Sequence, residues 1–145
     1  MRILIVEDNS FNAFCLSRLL EATIRPAQLQ VANDADKALL QLNKFRPDLL
    51  ILDGDLGKSS HYNGPMLADK IWTSSSECVI VAWTDNIERD SDFAEVFKRH
   101  NKDFDHYTRW SKNVSASELV QAVLHLSLRK IDYSMASLAL RAQTA

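Results

Sequence analysis

Five polar side chains stand where short apolar runs end. Glu7 and Asp8 follow Ile3–Val6, Asp53 follows Leu49–Leu52, Thr84 follows Cys78–Trp83, and Lys112 comes just after the mixed run His106–Trp110. In an open parallel sheet, chemistry gathers outside the carboxyl ends of the strands. This pattern would therefore bring three carboxylates, a hydroxyl and an ammonium onto one rim. Crowded carboxylates repel and raise one another's pKa unless a cation neutralises them, so the cluster calls for a metal. A donor set of oxygens without histidine or cysteine favours Mg²⁺, with Mn²⁺ as the second choice. Asp53 ends a strand that is apolar at every position, which is where a nucleophile should be held. A carboxylate can accept a phosphoryl group and form an aspartyl phosphate when metal and fixed cations offset the charge on the transferring oxygens. Thr84 could then donate a hydrogen bond to one phosphoryl oxygen and Lys112 offer a point charge to another.

The elements that must position these groups are legible from the alternation of short apolar runs with segments of helical period. Strands are predicted at Ile3–Val6, Leu29–Ala32, Leu49–Leu52, Cys78–Trp83 and His106–Trp110, and helices at Phe11–Leu20, Ala35–Phe45, Met66–Trp72, Ile87–Phe97 and Val114–Leu128. Strict βα order builds an α/β fold, a doubly wound parallel five-stranded sheet with helices on both faces. Leu29–Ala32 and His106–Trp110 are mixed in polarity and belong nearer an edge. Ser115 and Glu118 have capping-box spacing at the start of the last helix. On that helix Leu119, Val123 and Leu126, with Val120, Leu124 and Leu128 beside them, predict a wide apolar face packed on the sheet. Asp85–Asp105 mixes charges of both signs around Phe93, Val96 and Phe97, as a helix with a solvated outer face followed by a loop would.

Composition sets the outer bounds. The chain has 145 residues, 46% hydrophobic and 25% charged, with a net charge of −2, which suits one globular domain and gives no global pull toward nucleic acid or an anionic membrane. The N-terminal apolar run meets Glu7-Asp8 at once, leaving no room for a signal-peptide core or a membrane span, so a cytoplasmic location is expected. Cys15 and Cys78 fit small buried thiols better than a disulfide framework. There are only three glycines, and Gly54, Gly57 and Gly64 share the window that follows Asp53. A backbone that turns sharply and passes close to metal and phosphate needs them there.

Over Met1–Leu128 the sequence resembles the receiver domain of bacterial two-component response regulators. The matching stretches are Ile3-Leu4-Ile5-Val6-Glu7-Asp8-Asn9, Leu49-Leu50-Ile51-Leu52-Asp53, Val79-Ile80-Val81-Ala82-Trp83-Thr84 and Lys112-Asn113-Val114-Ser115-Ala116-Ser117-Glu118-Leu119. The resemblance implies a flavodoxin-like (βα)5 fold, with a receiver domain over residues 1–128 and a C-terminal tail over 129–145. It implies that Glu7, Asp8, Asp53 and the backbone carbonyl of Asp55 hold Mg²⁺, and that Asp53 takes a phosphoryl group from a kinase phosphohistidine. Thr84 and Lys112 would then reposition on the phosphate and shift the surface of the fourth helix, fifth strand and fifth helix. Four departures stand out. Asn113 occupies the place of a cis-proline, so the loop after Lys112 is expected to run trans or to be strained. Arg109 takes the place of the switch aromatic and is a rival to Lys112 as the phosphate cation. Asp85 replaces a small residue and could slow phosphorylation or reach the metal. The stretch from Asp53 to Gly64 is longer than the family norm.

Two other readings compete. Asp53-Gly54-Asp55 with Thr84 and a lysine is also similar to haloacid-dehalogenase-type phosphatases, in which the second aspartate turns over the aspartyl phosphate. Only 92 residues follow Asp53, and the acidic pair precedes it, against that family's order. The other alternative is a phosphorylation-independent pseudo-receiver that works as a protein-binding module. The main reading is a phosphoacceptor signalling domain and not an enzyme. Its partners would be a sensor histidine kinase or phosphotransfer protein and a downstream protein target, with neither nucleic acid nor membrane. Ile131–Leu140 is expected to extend the last helix or to pack in a homodimer.

Overall fold

The computed structural model describes residues 1–144. Strands β1 (Arg2–Val6), β2 (Gln28–Ala32), β3 (Leu49–Asp53), β4 (Ile80–Trp83) and β5 (Arg109–Trp110) alternate with helices α1 (Ser10–Thr23), α2 (Ala35–Phe45), α3 (Gly64–Ser74), α4 (Ile87–Arg99) and α5 (Ala116–Thr144). All pairings are parallel, in the order β2-β1-β3-β4-β5. This is the flavodoxin-like doubly wound topology, whose strand order reverses between β1 and β3 and so opens a crevice at their carboxyl ends.

Alternation along each central strand divides the core in two. Leu4, Val6, Leu50, Leu52, Ile80 and Ala82 face one layer with Leu67, Ile71, Phe93 and Phe97 of α3 and α4. Ile3, Ile5, Leu49, Ile51, Val81 and Trp83 face the other, with Leu16 and Leu20 of α1 and Leu119, Val123 and Leu126 of α5. Strands covered on both faces are apolar at every position for this reason. Asn9, Asp34, Asn63 and Asn86 each accept a backbone N–H at the start of a helix, and Ser115 and Glu118 complete the reciprocal capping box of α5.

Four local expectations need correction. β5 is only Arg109–Trp110, because the Thr108 hydroxyl accepts from the Asp105 N–H (3.1 Å) and donates to the Asp103 carbonyl (2.9 Å), tying the preceding residues into a turn. Cys15 is exposed, since the buried stripe of α1 is Ala13, Leu16 and Leu20, on the other side of the helix. Cys78 is half-buried, and burial pushes its thiol up to about 11. On α5 the sheet takes only Leu119, Ala122, Val123 and Leu126, while Val120, Leu124 and Leu128 are exposed, so the expected wide face is split into a core stripe and an outer one. α5 runs unbroken to Thr144. Among the described residues no helix is long and apolar enough to cross a membrane.

Candidate functional site

The register of β1 on β3 pairs Val6 with Leu52, so the next residues, Glu7 and Asp53, leave the sheet side by side. Asp8 follows Glu7 at the surface, and carboxylate oxygens of Glu7, Asp8 and Asp53 all lie within 4.8 Å of one another. Glu7 is 2% exposed and Asp53 7%, which makes their charges costly unless something compensates them. Burial is the main cause that lifts the Glu7 carboxyl to about 7, with the Asp53 charge adding to it and the hydrogen bonds from Lys112 and the Asn9 N–H opposing it. Asp53 is shifted in the same direction by burial, against the pull of Lys112.

Lys112 arrives from the loop between β5 and α5. Its ammonium bonds the Glu7 carboxylate, stands 3.1 Å from Asp53 Oδ1, and lies 3.5 Å from the centroid of the Trp83 ring. A cation over an indole face is attracted by the ring quadrupole, so Trp83 supports the ammonium from below. Three carboxylates against this one ammonium leave the cluster negative. The loop itself is fixed by Asp85, whose carboxylate accepts from the Lys112 backbone N–H (3.0 Å); Asp85 is thus turned to the loop and away from the cluster. The peptide bond between Lys112 and Asn113 is trans, the one cis bond among the described residues being Arg25–Pro26.

Thr84 follows β4 and is fastened by its N–H to the Trp110 carbonyl (3.1 Å). Its hydroxyl lies 2.9 Å from where a Cβ on Gly54 would sit, directly beside the backbone that leaves Asp53, and accepts from the Asn86 N–H (3.1 Å). The Gly54 N–H donates to Asp53 Oδ1 (2.7 Å), the same oxygen that Lys112 approaches. The glycine window has a steric basis: a Cβ on Gly64 would stand 1.9 Å from the Asp53 carbonyl oxygen, one on Gly54 2.5 Å from Arg89 Cβ, and Gly57 has φ +80°.

Arg109, the alternative cation, is drawn elsewhere: its guanidinium makes a two-bond pair with Asp90 of α4 at 2.7 and 2.8 Å. The side chain of Asp55 also faces α4, where its carboxylate accepts from Arg89 Nε (3.2 Å) and Asn86 Nδ2 (3.0 Å). Arg89 and Asn86 are the neighbours that sequence reasoning missed. Only folding brings Arg89, 34 residues away, to Asp55, and no local spacing announces it. Trp83 was readable as the neighbour of Thr84, though not as the surface beneath Lys112.

A family profile described as response regulator receiver domain matches residues 3–124. No curated protein matches the chain significantly. Among solved structures, the receiver domain of NtrX from Brucella abortus is 24% identical with a TM-score of 0.67, over 86% of this chain and 96% of that one. A CheY-like response regulator receiver domain protein from Methanospirillum hungatei JF-1 is 17% identical with a TM-score of 0.71, over 91% of this chain and 97% of that one. NtrX from Brucella abortus in complex with ADP gives a TM-score of 0.77 at 24% identity; the match covers 94% of this chain but spans only 29% of the NtrX chain.

Proposed function

The chain belongs to the response regulator receiver domain family, and on that footing we propose that it accepts a phosphoryl group on Asp53 from the phosphohistidine of a sensor kinase or phosphotransfer protein. The observation that carries this reading is the buried Asp53 carboxylate, flanked by Glu7 and Asp8, with the Lys112 ammonium at 3.1 Å. An all-oxygen cluster with negative charge left over fits Mg²⁺ or Mn²⁺, held by Glu7, Asp8, Asp53 and the Asp55 backbone carbonyl. When bound, the ion would offset charge on the transferring oxygens.

The protein's own residues supply the rest. With Oδ1 committed to Gly54 and Lys112, Oδ2 of Asp53 is the attacking atom. An O–P bond forms, the P–N bond of the donor breaks, and its electron pair leaves on the imidazole nitrogen, which takes up a proton. Lys112 then faces a phosphoryl oxygen as a point charge, and Thr84 turns its hydroxyl to donate to another. The same hydroxyl oxygen accepts from the Asn86 N–H, so a shift of Thr84 is passed to Asn86, which both caps α4 and holds Asp55. The start of α4 is therefore the element that registers the event, and the Arg109–Asp90 pair carries it to β5, where the family uses an aromatic. A changed α4–β5–α5 face is what a downstream protein would read. Because Arg89 and Asn86 occupy the Asp55 carboxylate, Asp55 is not a free acid and base for turnover, which favours a signalling domain over a phosphatase. The reading places the protein in the cytoplasm with protein partners.

One observation favours a second reading. The Asp55–Arg89 and Arg109–Asp90 pairs already brace α4, as a phosphorylation-independent binding module would require. Trp83 emission separates the two. Phosphoryl transfer predicts one change on adding Mg²⁺ and a second on adding a small acyl phosphate, both missing from Trp83→Phe and the second missing from Asp53→Asn. A Mg²⁺ response followed by none to the phosphodonor supports the binding module, and no response to either contradicts the metal site.

A further inference from the structure

Helix α5 outruns the body it belongs to. Among the described residues its last buried side chain is Leu126, and Arg129 and Lys130 make ion pairs to Asp103, Asp105 and Asp48, yet the helix continues to Thr144. Along this rod Leu124, Leu128, Ile131, Met135 and Leu138 are each 54% to 62% exposed, with Ala142 exposed at the next step. Their spacing is four, three, four, three, four. That is the 3.5-residue repeat of a coiled-coil seam, and its two-column width is narrower than the face a helix lays on a globular body. At about 100° per residue the seam as a whole lies roughly opposite the core stripe of Leu119, Ala122, Val123 and Leu126, with Ile131 and Met135 also edging the groove between α5 and the body at Met1, Leu49 and Val79.

We infer that α5 is a self-association element through which two copies of this chain pair in parallel. A strict two-column seam fits another helix with the same repeat, and a second copy supplies it in a self-complementary interface. The flanking positions allow it, since a parallel pair sets Ser127 across from Asp132 and Ser134 across from Ala139, with no like charges opposed. Three heptads are about 30 Å of helix, too little for a lasting pair by themselves. Parallel alignment adds what is missing: α1 lies beside α5 on the same layer, and its Phe11 and Phe14 point outward, 71% and 61% exposed. A two-fold axis along α5 brings both copies' α1–α5 faces toward each other and lifts the interface toward the roughly 1,000 Å² that a specific contact needs.

Sedimentation equilibrium on the full chain from about 1 μM to about 1 mM tests this across the affinity range of modest interfaces. The wild type is expected to move from monomer to dimer mass and the Ile131→Lys, Met135→Lys double variant to stay monomeric. Leu140→Lys, off the seam, should match the wild type. Far-UV dichroism of the monomeric variant checks that the body is intact. In a Cys15→Ser background, Leu138→Cys should form a 138–138 disulfide as diamide takes up the two thiol hydrogens. A wild type that stays monomeric, a double variant that associates equally well, or a trimer mass would overturn the pair. Association without the 138–138 crosslink would overturn the parallel alignment.

Discussion

Gly64→Ala should be among the most damaging single-methyl additions to this protein, although alanine is the better helix former. The added Cβ would stand 1.9 Å from the Asp53 carbonyl oxygen, 2.9 Å from its carbon and 2.8 Å from Phe93 Cζ. Two of these neighbours are main-chain atoms of β3, which no rotamer change can move. The third belongs to a ring at 0% exposure, in contact with Phe97 at a centroid distance of 6.4 Å. Relief must come from sliding α3 or bending the end of β3, and the hydrogen bond from the Gly64 N–H to the Gly54 carbonyl (2.9 Å) resists both. Overpacking a tight interior costs about 1–3 kcal/mol. With backbone on one side and a locked ring on the other, the upper half of that range applies, about 2–3 kcal/mol, or roughly 4–12 °C in Tm for a domain of this size. Urea unfolding followed by far-UV dichroism would measure it, with Gly57→Ala as the comparison. There the cost is a φ of +80° with only the Asp8 carboxylate oxygen near, at 3.1 Å, so about 1 kcal/mol is expected. A Gly64→Ala loss below about 0.5 kcal/mol, the size of an ordinary surface change, would refute the steric reasoning.

Arg89→Ala removes one of the two donors to the Asp55 carboxylate at a partly exposed site, where an ion pair is worth about 0–1 kcal/mol, so stability should hardly change. Amide exchange over residues 54–63 should nevertheless quicken, and unchanged protection there would count against a brace between that loop and α4. Asp69 is held below the ordinary 3.8, chiefly by its hydrogen bond from His100 and then, against some burial, by Arg99. A lowered carboxyl adds stability above its unfolded value and loses it as pH falls through the folded one. Asp69→Asn should therefore lose less stability than the wild type between pH 6 and pH 3 in urea melts, and identical losses would contradict the assignment.

How much of this was legible in the chain depends on how local each cause is. The three central strands, with the carboxylates after β1 and β3 and the hydroxyl after β4, were readable because burial on both faces forces unbroken apolar runs, and a strand has one end. Lys112 was readable through its spacing to the capping box at Ser115 and Glu118. What separates it from Arg109 in the structure is Asp90, on a different element, which pairs with Arg109 while Lys112 lies against Glu7 and Asp53. α5 shows the limit of pattern reading: both apolar stripes were visible, but which one faces the sheet depends on the body it meets. The shortened β5 turns on a single hydroxyl, Thr108, bonding its own loop, and a threonine in a mixed run reads equally well as strand. Cys15, which is exposed, is a similar case: an apolar residue in a helical segment reads as buried until the phase of the helix is fixed, here by Ala13, Leu16 and Leu20.

Whether Asp53 is a phosphoacceptor is read directly by intact mass. Incubated with Mg²⁺ and a small acyl phosphate, the protein should gain a single phosphoryl group that hydroxylamine removes, as it does an acyl phosphate, with no gain in Asp53→Asn or when Mg²⁺ is chelated. No adduct under conditions that label another receiver domain, or an equal adduct on Asp53→Asn, would contradict it.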